Sequence, residues 1–554
     1  MSTASTRVSQ PRDYPLIVEK DVRIPLRDGT SICADVFRPD GGSERFPVIM
    51  NIGPYQKDKL WVPPPDVEEK PNSYMNWEAA NPTWWCPRGY ALLRVDSRGS
   101  GKSPGQSDPF SYQEALDAYD CIEWIARRSW CSGNVGTLGV SYHALFQWRV
   151  AALQPPSLKA IIPWEGWADT YRDLAFHGGI CGRFIMDWYI NNTAIHLLGK
   201  PRNYNPHAFN NNLAWRFMRN DLDSEFWRMC SARLDRINVP LYSAGNWGGF
   251  SMHLRGNTEG YMGAASKHKK LRIHTGTHWG PFHSEEGRID QLRFMDYWLK
   301  GIDTGIMDEP PVKLEIRTGG SFKPYAFRFE NEWPLARTRW TRMYLRVDRE
   351  PSRNADAVEG ELVTTPPKTA GKLTYPAGPP SRPGIAPRGV SFETPPMQDD
   401  TEVTGPIVLN LWVSSTAEDM DIFATLRNIG PDGKDVCEIG QRADPVPCVT
   451  KGWLRASRRK LDPERSLPYR PYHAHDGYQW LKPGEIVECQ VEIWPTSMMF
   501  KKGHRLRLDI GPMDGVGTLY FTHFHAEYNG GAESTIYSGG DKESYLMLPV
   551  IPAT

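Results

Sequence analysis

The sequence has no excess of charge of either sign, no apolar core near its amino terminus and no apolar run long enough to cross a bilayer. Each absence removes a class of function. Lys plus Arg number 65 and Asp plus Glu number 65, giving a formal net charge of zero. With no basic stripe and no long run of like charge, neither a nucleic-acid nor a membrane-surface partner is expected. Met1 to Pro15 is polar and proline-containing, which is not the pattern of a secretory leader. The 9 cysteines are odd in number and irregularly spaced, which fits a reduced, cytoplasmic chain better than a disulfide framework. What is present is bulk: 554 residues, 40% apolar, suffice for two or three domains with substantial cores. Composition leaves a homo-oligomer open.

The most informative segment runs from Gly133 to Ala144. A glycine-rich strand end, Gly136-Thr137-Leu138-Gly139-Val140, reaches Ser141 and turns at once into the helical pattern Tyr142 to Val150. This is the shape of a nucleophile elbow, which lifts a serine hydroxyl above a sheet edge and aims the next backbone N–H, that of Tyr142, at a developing oxyanion. Gly139 and Ala144 supply the small residues that a close strand–helix approach needs. Upstream, Arg88 to Asp96 reads as a buried strand, Ser97 to Gly105 as a loop, and Glu114 to Ile125 as an amphipathic helix. Strand, helix, strand, elbow, helix describes a parallel doubly wound α/β sheet whose ligands gather at the carboxyl ends of the strands.

With these residues in view, the chain resembles the cocaine esterase and X-prolyl dipeptidyl-peptidase family of α/β-hydrolases over nearly its whole length. Arg27-Asp28-Gly29-Thr30 with Asp35 and Arg38-Pro39 is similar to the family's opening hairpin, and Pro54-Tyr55 to its tyrosine-bearing loop. Asp96, Arg98-Gly99 and the G-x-S-Y elbow follow in the family's order, with Gln147-Trp148 after the nucleophile. Thr404-Gly405-Pro406, Asp419 to Ile422 and Pro431-Asp432-Gly433 resemble its carboxy-terminal jelly roll. The resemblance implies an α/β-hydrolase core, a serine nucleophile and a phenolic oxyanion donor at Tyr55.

The strand and helix pattern divides the chain in the same way. Residues 1–163 and 236–335 alternate strand and helix signals and are expected to form one α/β core. Residues 164–235, rich in tryptophan, asparagine and arginine, are expected to form a helical cap over the site. Residues 336–554 carry period-two runs such as Val408 to Val413 and His504 to Ile510, expected as a β-sandwich. Pro366 to Pro396, dense in proline and glycine, is expected to be an extended surface loop.

A serine hydroxyl needs a base and oxyanion donors to act as a nucleophile at neutral pH. Lys270 to Gly276 reads as the last core strand, and His278 follows it where a catalytic histidine loop belongs; His283 is the reserve, and His274 reads as a structural strand residue. The acid is where the chain departs from its relatives. In the segment Ala244 to Phe250, Gly248 stands where the family has aspartate, and the nearest carboxylates are Glu259 and Asp235. Glu165, at the carboxyl end of the strand Leu158 to Trp164, keeps the order serine, acid, histidine and is the acid chosen here, against the alternative that it merely pairs with an arginine or faces solvent. Asp169 reads as structural.

Lesser signals carry less. His473-Ala474-His475 and His523-Phe524-His525 have alternate spacing without a cysteine or carboxylate cluster, so no metal is expected. Gly101-Lys102-Ser103 lacks both the first glycine and the helix of a phosphate loop, so no nucleotide cofactor is expected. Trp84, Trp85, Trp164, Trp167, Trp188, Trp247 and Trp279 are expected near the site and suggest a bulky apolar or aromatic small-molecule ester or amide. The expected function is a serine hydrolase working through an acyl-enzyme. The alternatives are an acyltransferase using the same serine, a non-catalytic binding protein, and an X-prolyl peptidase, which would carry a long extra amino-terminal region.

Overall fold

A computed structural model describes residues 7–199, 213–320, 325–348, 357–378, 389–517, 521–524, 529 and 531–553, with the side chains of 192–199 excepted. A ten-stranded sheet forms the first unit. Its strands are β1 (Leu16–Pro25), β2 (Ser31–Pro39), β3 (Phe46–Gly53), β4 (Ala91–Asp96), β5 (Cys131–Val140), β6 (Leu158–Trp164), β7 (Leu241–Asn246), β8 (Lys269–His274), β9 (Val312–Glu315) and β10 (Phe327–Glu330). Their spatial order is β1-β2-β4-β3-β5-β6-β7-β8-β9-β10. The strands from β4 to β9 are mutually parallel, and the β1–β2 hairpin and β10 add antiparallel edges.

The sequence explains the layering. Every residue of β3 and β4 is buried, as near-continuous apolar strands must be when helices cover both faces. One face packs Ile122, Ile125, Phe146 and Trp148 against Val48, Met50 and Leu93; the other packs Leu138, Ile162 and Tyr242 against Phe294 and Met295. Truncating a fully buried Leu or Ile here would cost about 2–5 kcal/mol. Helix α1 (Tyr112–Ala126) starts where the Ser111 side chain accepts the Glu114 N–H, and α2 (Tyr142–Ala152) is buried along its whole length behind the elbow.

Between β6 and β7 the described residues form a π-turn (Tyr171–Ala175) and three α-helices, α3 (Phe184–Gly199), α4 (Leu213–Arg219) and α5 (Glu225–Cys230). An aromatic cluster of Phe110, Tyr142, Trp167, Tyr171, Phe217 and Trp227 fastens them over the elbow. Residues 200–212 of this expected cap lie outside the described residues.

The second unit is all β. Eleven strands, from Arg339–Val347 to Tyr545–Ile551, form its sheet system, and its longest ladder pairs Thr401–Ser415 with Val487–Phe500. The segment Pro366 to Pro396 is not the simple loop its composition suggested. Gly371–Pro376 pairs with Glu533–Ser538, and Val390–Glu393 pairs with Arg505–Gly511. Leu373, Tyr375, Val390 and Phe392 are buried there, so core contacts outweigh the local proline and glycine signal; residues 379–388 lie outside the described residues.

The two units meet through ion pairs. After α6 (Leu254–Gly263) begins, Arg255 bonds Glu492 at 2.8 Å, and Glu259 bonds Arg470 at 2.9 Å. Glu259, one of the two carboxylates nearest the Gly248 turn in sequence, is therefore spent on the domain contact. Asp235, the other, pairs with Arg233 at 2.8 Å near the surface.

Candidate active site

The elbow residue Ser141 sits at φ 57°, ψ −112°, between β5 and α2. A Cβ on Gly139 would lie 2.4 Å from the Cβ of His143, so only glycine allows the strand and helix to come this close. The Ser141 N–H is held by the carbonyls of Trp164 and Glu165 at 3.0 and 3.1 Å. Ten non-glycine residues among those described have a left-handed φ. Gln56, Glu78, Ser141, Glu165, Ser251 and Ala443 are six of them, and all lie in or beside one cavity, the concentration of backbone strain expected at a functional site.

That cavity has a volume of about 490 Å³ and reaches Ser141, His253 and His278, with Tyr55, Trp77, Trp188 and Trp279 among its aromatic walls. Trp188 and Trp279 are the two expected tryptophans that line it. Trp85, Trp164 and Trp247 are instead packed in cores, and Trp167 lies behind, stacked on His253 with ring centroids 5.8 Å apart. Trp84 packs under Arg88. Their periodic positions are those of core residues, which is why a count of aromatics overstated the walls.

Glu165 is fully buried at the end of β6. Two neighbouring strand ends and the loop after β8 converge on it. Asn246, closing β7, donates to Oε1 at 3.2 Å; His274, closing β8, meets the same oxygen at 2.9 Å; His278 Nδ1 meets Oε2 at 2.6 Å. A fourth donor, Gln441 Nε2, comes from the second domain at 2.6 Å. Glu165 therefore neither faces solvent nor pairs with an arginine. Burial alone would raise its pKa, but the charge and hydrogen bonds of the two histidines bring it down to about 2. His274 is the strand residue its position suggested; burial dominates its environment and lowers its pKa.

His278 lies between two carboxylates. Its Nε2 meets Glu78 Oε1 at 3.2 Å, opposite the Glu165 contact. Burial works against its charged form, yet Glu165 and then Glu78 outweigh it and lift the pKa to about 10. Glu78 is itself buried, and that burial pushes its own pKa up. His283, the reserve histidine, is buried against Glu69 at 2.7 Å and away from the cavity.

The hydrogen-bond partner of Ser141 is not His278, as chain position suggested, but His253, whose Nε2 lies 3.2 Å from Oγ. His253 caps the amino end of α6, and the left-handed Ser251 just before it turns the chain back so that the ring drops beside the serine. It stacks almost parallel on His278, with centroids 5.1 Å apart and planes at 6°. Burial first, and then the neighbouring His278, push its pKa down to about 3. One nitrogen from each histidine and a Glu165 oxygen lie within 4.8 Å of one another, a donor set of the kind that divalent cations use, although both Glu165 oxygens already hold two donors each. Sequence reasoning missed His253 and Glu78. A histidine at a helix start and a glutamate in a loop carry no periodic signal, and only the left-handed turns aim them at the cavity.

Of the expected oxyanion donors, Tyr142 follows the serine in the chain and Tyr55 lines the same cavity as Ser141. Tyr55 lines the cavity and accepts the Trp188 indole N–H at 3.1 Å, which leaves its own hydroxyl hydrogen available. Burial holds the phenol well above its usual pKa, so it stays a neutral donor. The Tyr142 side chain is used elsewhere, its hydroxyl donating to Glu114 at 2.6 Å, while its backbone N–H opens α2 beside Ser141.

Other expectations resolve as structure. Asp169 pairs with Arg172 at 3.0 Å. His523 has carboxylate company after all, with Asp514 at 3.0 Å and His177 at 2.7 Å; His525 lies outside the described residues. His473 and His475 are buried rather than on a sandwich surface, because the cap packs over them and Arg172 donates to the His473 carbonyl.

A serine on a strained strand-to-helix elbow, with imidazoles and a buried carboxylate gathered at the ends of parallel strands, defines a serine hydrolase of the α/β-hydrolase fold. The chain belongs to the cocaine esterase and X-prolyl dipeptidyl-peptidase family of that fold. Residues 28–280 match the X-Pro dipeptidyl-peptidase (S15) family, and residues 304–547 match the X-Pro dipeptidyl-peptidase C-terminal non-catalytic domain. The crystal structure of a CocE/NonD family hydrolase from Staphylococcus aureus superposes with a TM-score of 0.85 at 32% identity, covering 97% of this chain and 94% of that one. Cocaine esterase of a Rhodococcus species is 24% identical over 96% of this chain and 98% of its own length. An aminopeptidase from a marine-sediment Thaumarchaeota archaeon shares the fold, with a TM-score of 0.70 at 16% identity over 100% of this chain and 99% of that one. Among the described residues no helix is long and apolar enough to cross a membrane.

Proposed function

We propose that the chain hydrolyses carboxylic esters of bulky apolar or aromatic compounds through an acyl-enzyme on Ser141. The observation that carries this reading is the placement of Ser141 Oγ, hydrogen-bonded to an imidazole, on the wall of an aromatic-lined cavity. Ser141 attacks the ester carbonyl, the Tyr142 N–H and Tyr55 hydroxyl receive the oxyanion, the ester C–O bond breaks and the alcohol leaves with the proton taken from the serine, and water then cleaves the acyl-serine bond to release the acid. The name of the Rhodococcus relative, cocaine esterase, points to the same bond type.

Two histidines share the work. His278 is the base, because a proton taken from Ser141 is stabilised there by Glu165 on Nδ1, the arrangement in which a carboxylate orients an imidazole and balances the imidazolium. His253 has no such partner. Its Nδ1 is buried without a hydrogen bond among the described residues, and an unpaired lone pair is less costly than an unpaired N–H. The proton then belongs on Nε2, and His253 donates to Ser141 Oγ; transfer of the serine hydrogen to His278 runs through a bridging water or a small approach of the ring, since the hydrogen-bonded neighbour of Oγ is His253. The Glu78 contact occupies His278 Nε2 at 3.2 Å, and breaking it frees that nitrogen to act.

Intact mass after treatment with an aryl phosphonate tests the nucleophile. One adduct is expected on the wild-type chain and none on Ser141→Ala; an adduct on Ser141→Ala would refute the assignment. Turnover of aryl esters compared with X-Pro anilides tests the bond type.

A further inference from the structure

The second domain supplies a group to the Glu165–His278 pair. Within it, the pieces Glu438–Ile439 and Pro445–Val446 pair antiparallel, and the turn between them, bent by a left-handed Ala443, carries Gln441 into the first domain. Gln441 is buried. Its Nε2 donates to Glu165 Oε2 at 2.6 Å, and its backbone carbonyl accepts the backbone N–H of His278 at 2.8 Å. One residue thus grips both members of the pair, and does so on the oxygen that also receives His278 Nδ1.

Room for this amide is made by the turn after β7. A Cβ on Gly249 would stand 3.2 Å from Gln441 Nε2, and one on Gly248 would stand 3.3 Å from Asn246 Oδ1 and 3.7 Å from Gln441 Cγ. The turn that lacks a carboxylate is the turn against which Gln441 packs. Of the four donors to Glu165, this is the one contributed by the second domain; the other three come from strand ends and a loop of the first. A carboxamide neither gains nor loses a proton near neutral pH, so it fixes the orientation of the carboxylate without competing for the proton that His278 moves.

We infer that Gln441 is a positioning residue for the reaction, and that the all-β domain completes the acid–base pair of the hydrolase core. This rests on the reading of Glu165 and His278 as acid and base. Steady-state kinetics of the intact chain on an aryl ester, across pH, test it with Gln441→Leu, Gln441→Glu, Gly249→Ala and Glu165→Gln.

Gln441→Leu is expected to lower kcat by about 10-fold or more with little change in KM, the size that loss of a hydrogen bond to a charged group implies. Gln441→Glu keeps the shape but sets two carboxyls against each other. Its activity relative to wild type at the same pH should be low at neutral pH and recover as the pH falls, when the introduced carboxyl takes a proton and can donate as the amide did. A merely structural role would not reverse with pH. Gly249→Ala, whose added methyl would meet both the Asn246 carbonyl oxygen at 3.0 Å and the Gln441 amide at 3.2 Å, should lower kcat in the same direction and keeps the test open if Gln441→Leu fails to fold. Wild-type kcat and pH profile in the Gln441 variants, with Glu165→Gln inactive, would overturn the proposal and leave the acid–base reading standing. Full activity in Glu165→Gln would overturn that reading, and the proposal with it.

Discussion

His278 Nδ1 lies 2.6 Å from Oε2 of Glu165, a residue 113 positions earlier in the chain. The contact is made because β6 and β8 end on the same edge of the sheet with β7 between them, and because the loop after β8 folds back over that edge. If this pair carries the catalytic proton, Glu165→Gln should reduce kcat by roughly 10²-fold or more, since the imidazolium loses its anionic partner. Glu259→Gln should leave kcat near wild type, as its ion pair with Arg470 lies at the domain contact.

The two histidines separate by their kinetics. His278→Gln should abolish ester turnover to within about 10²-fold of background. His253→Gln should be milder, since the amide can still donate to Ser141 Oγ, while His253→Leu, which cannot, should be the weaker of the two in kcat. Equal, complete loss in His253→Gln with substantial activity in His278→Gln would make His253 the base.

Tyr55→Phe removes one hydroxyl and keeps the ring that packs on Tyr142 and Trp77. A kcat lower by roughly 10²-fold, with a smaller change in KM, is expected if that hydroxyl receives the oxyanion. An unchanged kcat would leave Tyr55 as a packing residue.

The pKa shifts fix a pH window for stability. The imidazolium of His278 is favoured in the fold, with a pKa of about 10 against an ordinary 6.5, so its contribution is complete below 6.5 and is lost as the pH rises through 10. Glu165 is shifted the other way, to about 2 from 4.5, so its contribution is complete above 4.5 and is lost as the pH falls through 2. Thermal melts should therefore show the largest gap between wild type and Glu165→Gln near about pH 5.5 and a smaller one above about pH 10. In kinetics, Glu78→Gln removes one of the anions that raise the His278 pKa, and the rise of kcat/KM with pH should move to lower pH.

Much of this site was legible from residues close in sequence. The elbow is local: glycines before Ser141 and a helix after it specify the strained turn without help from distant parts. The strand assignments of β4, β5, β6 and β8 follow from short buried runs bounded by turn residues. Glu165 could be read as an acid because it ends an apolar strand in a parallel sheet, where ligands collect. Pro366 to Pro396 shows the limit of such reading. Its prolines and glycines suggested an extended loop, but Leu373 and Phe392 drew pieces of it into the sheets through strands more than a hundred residues away.

What the sequence by itself determined is the strand-to-helix elbow at Ser141 and the α/β order of the core, which follow from glycine placement and apolar runs within single elements; that Gly248 stands where relatives carry aspartate followed from the family resemblance. Tertiary structure alone decided which histidine touches Ser141, that Glu78 faces His278, and that Gln441 of the second domain closes the shell of Glu165. These are contacts between segments far apart in the chain, set by the register of parallel strands and by left-handed backbone turns at Glu78, Ser251 and Ala443, whose conformations no run of side chains announces.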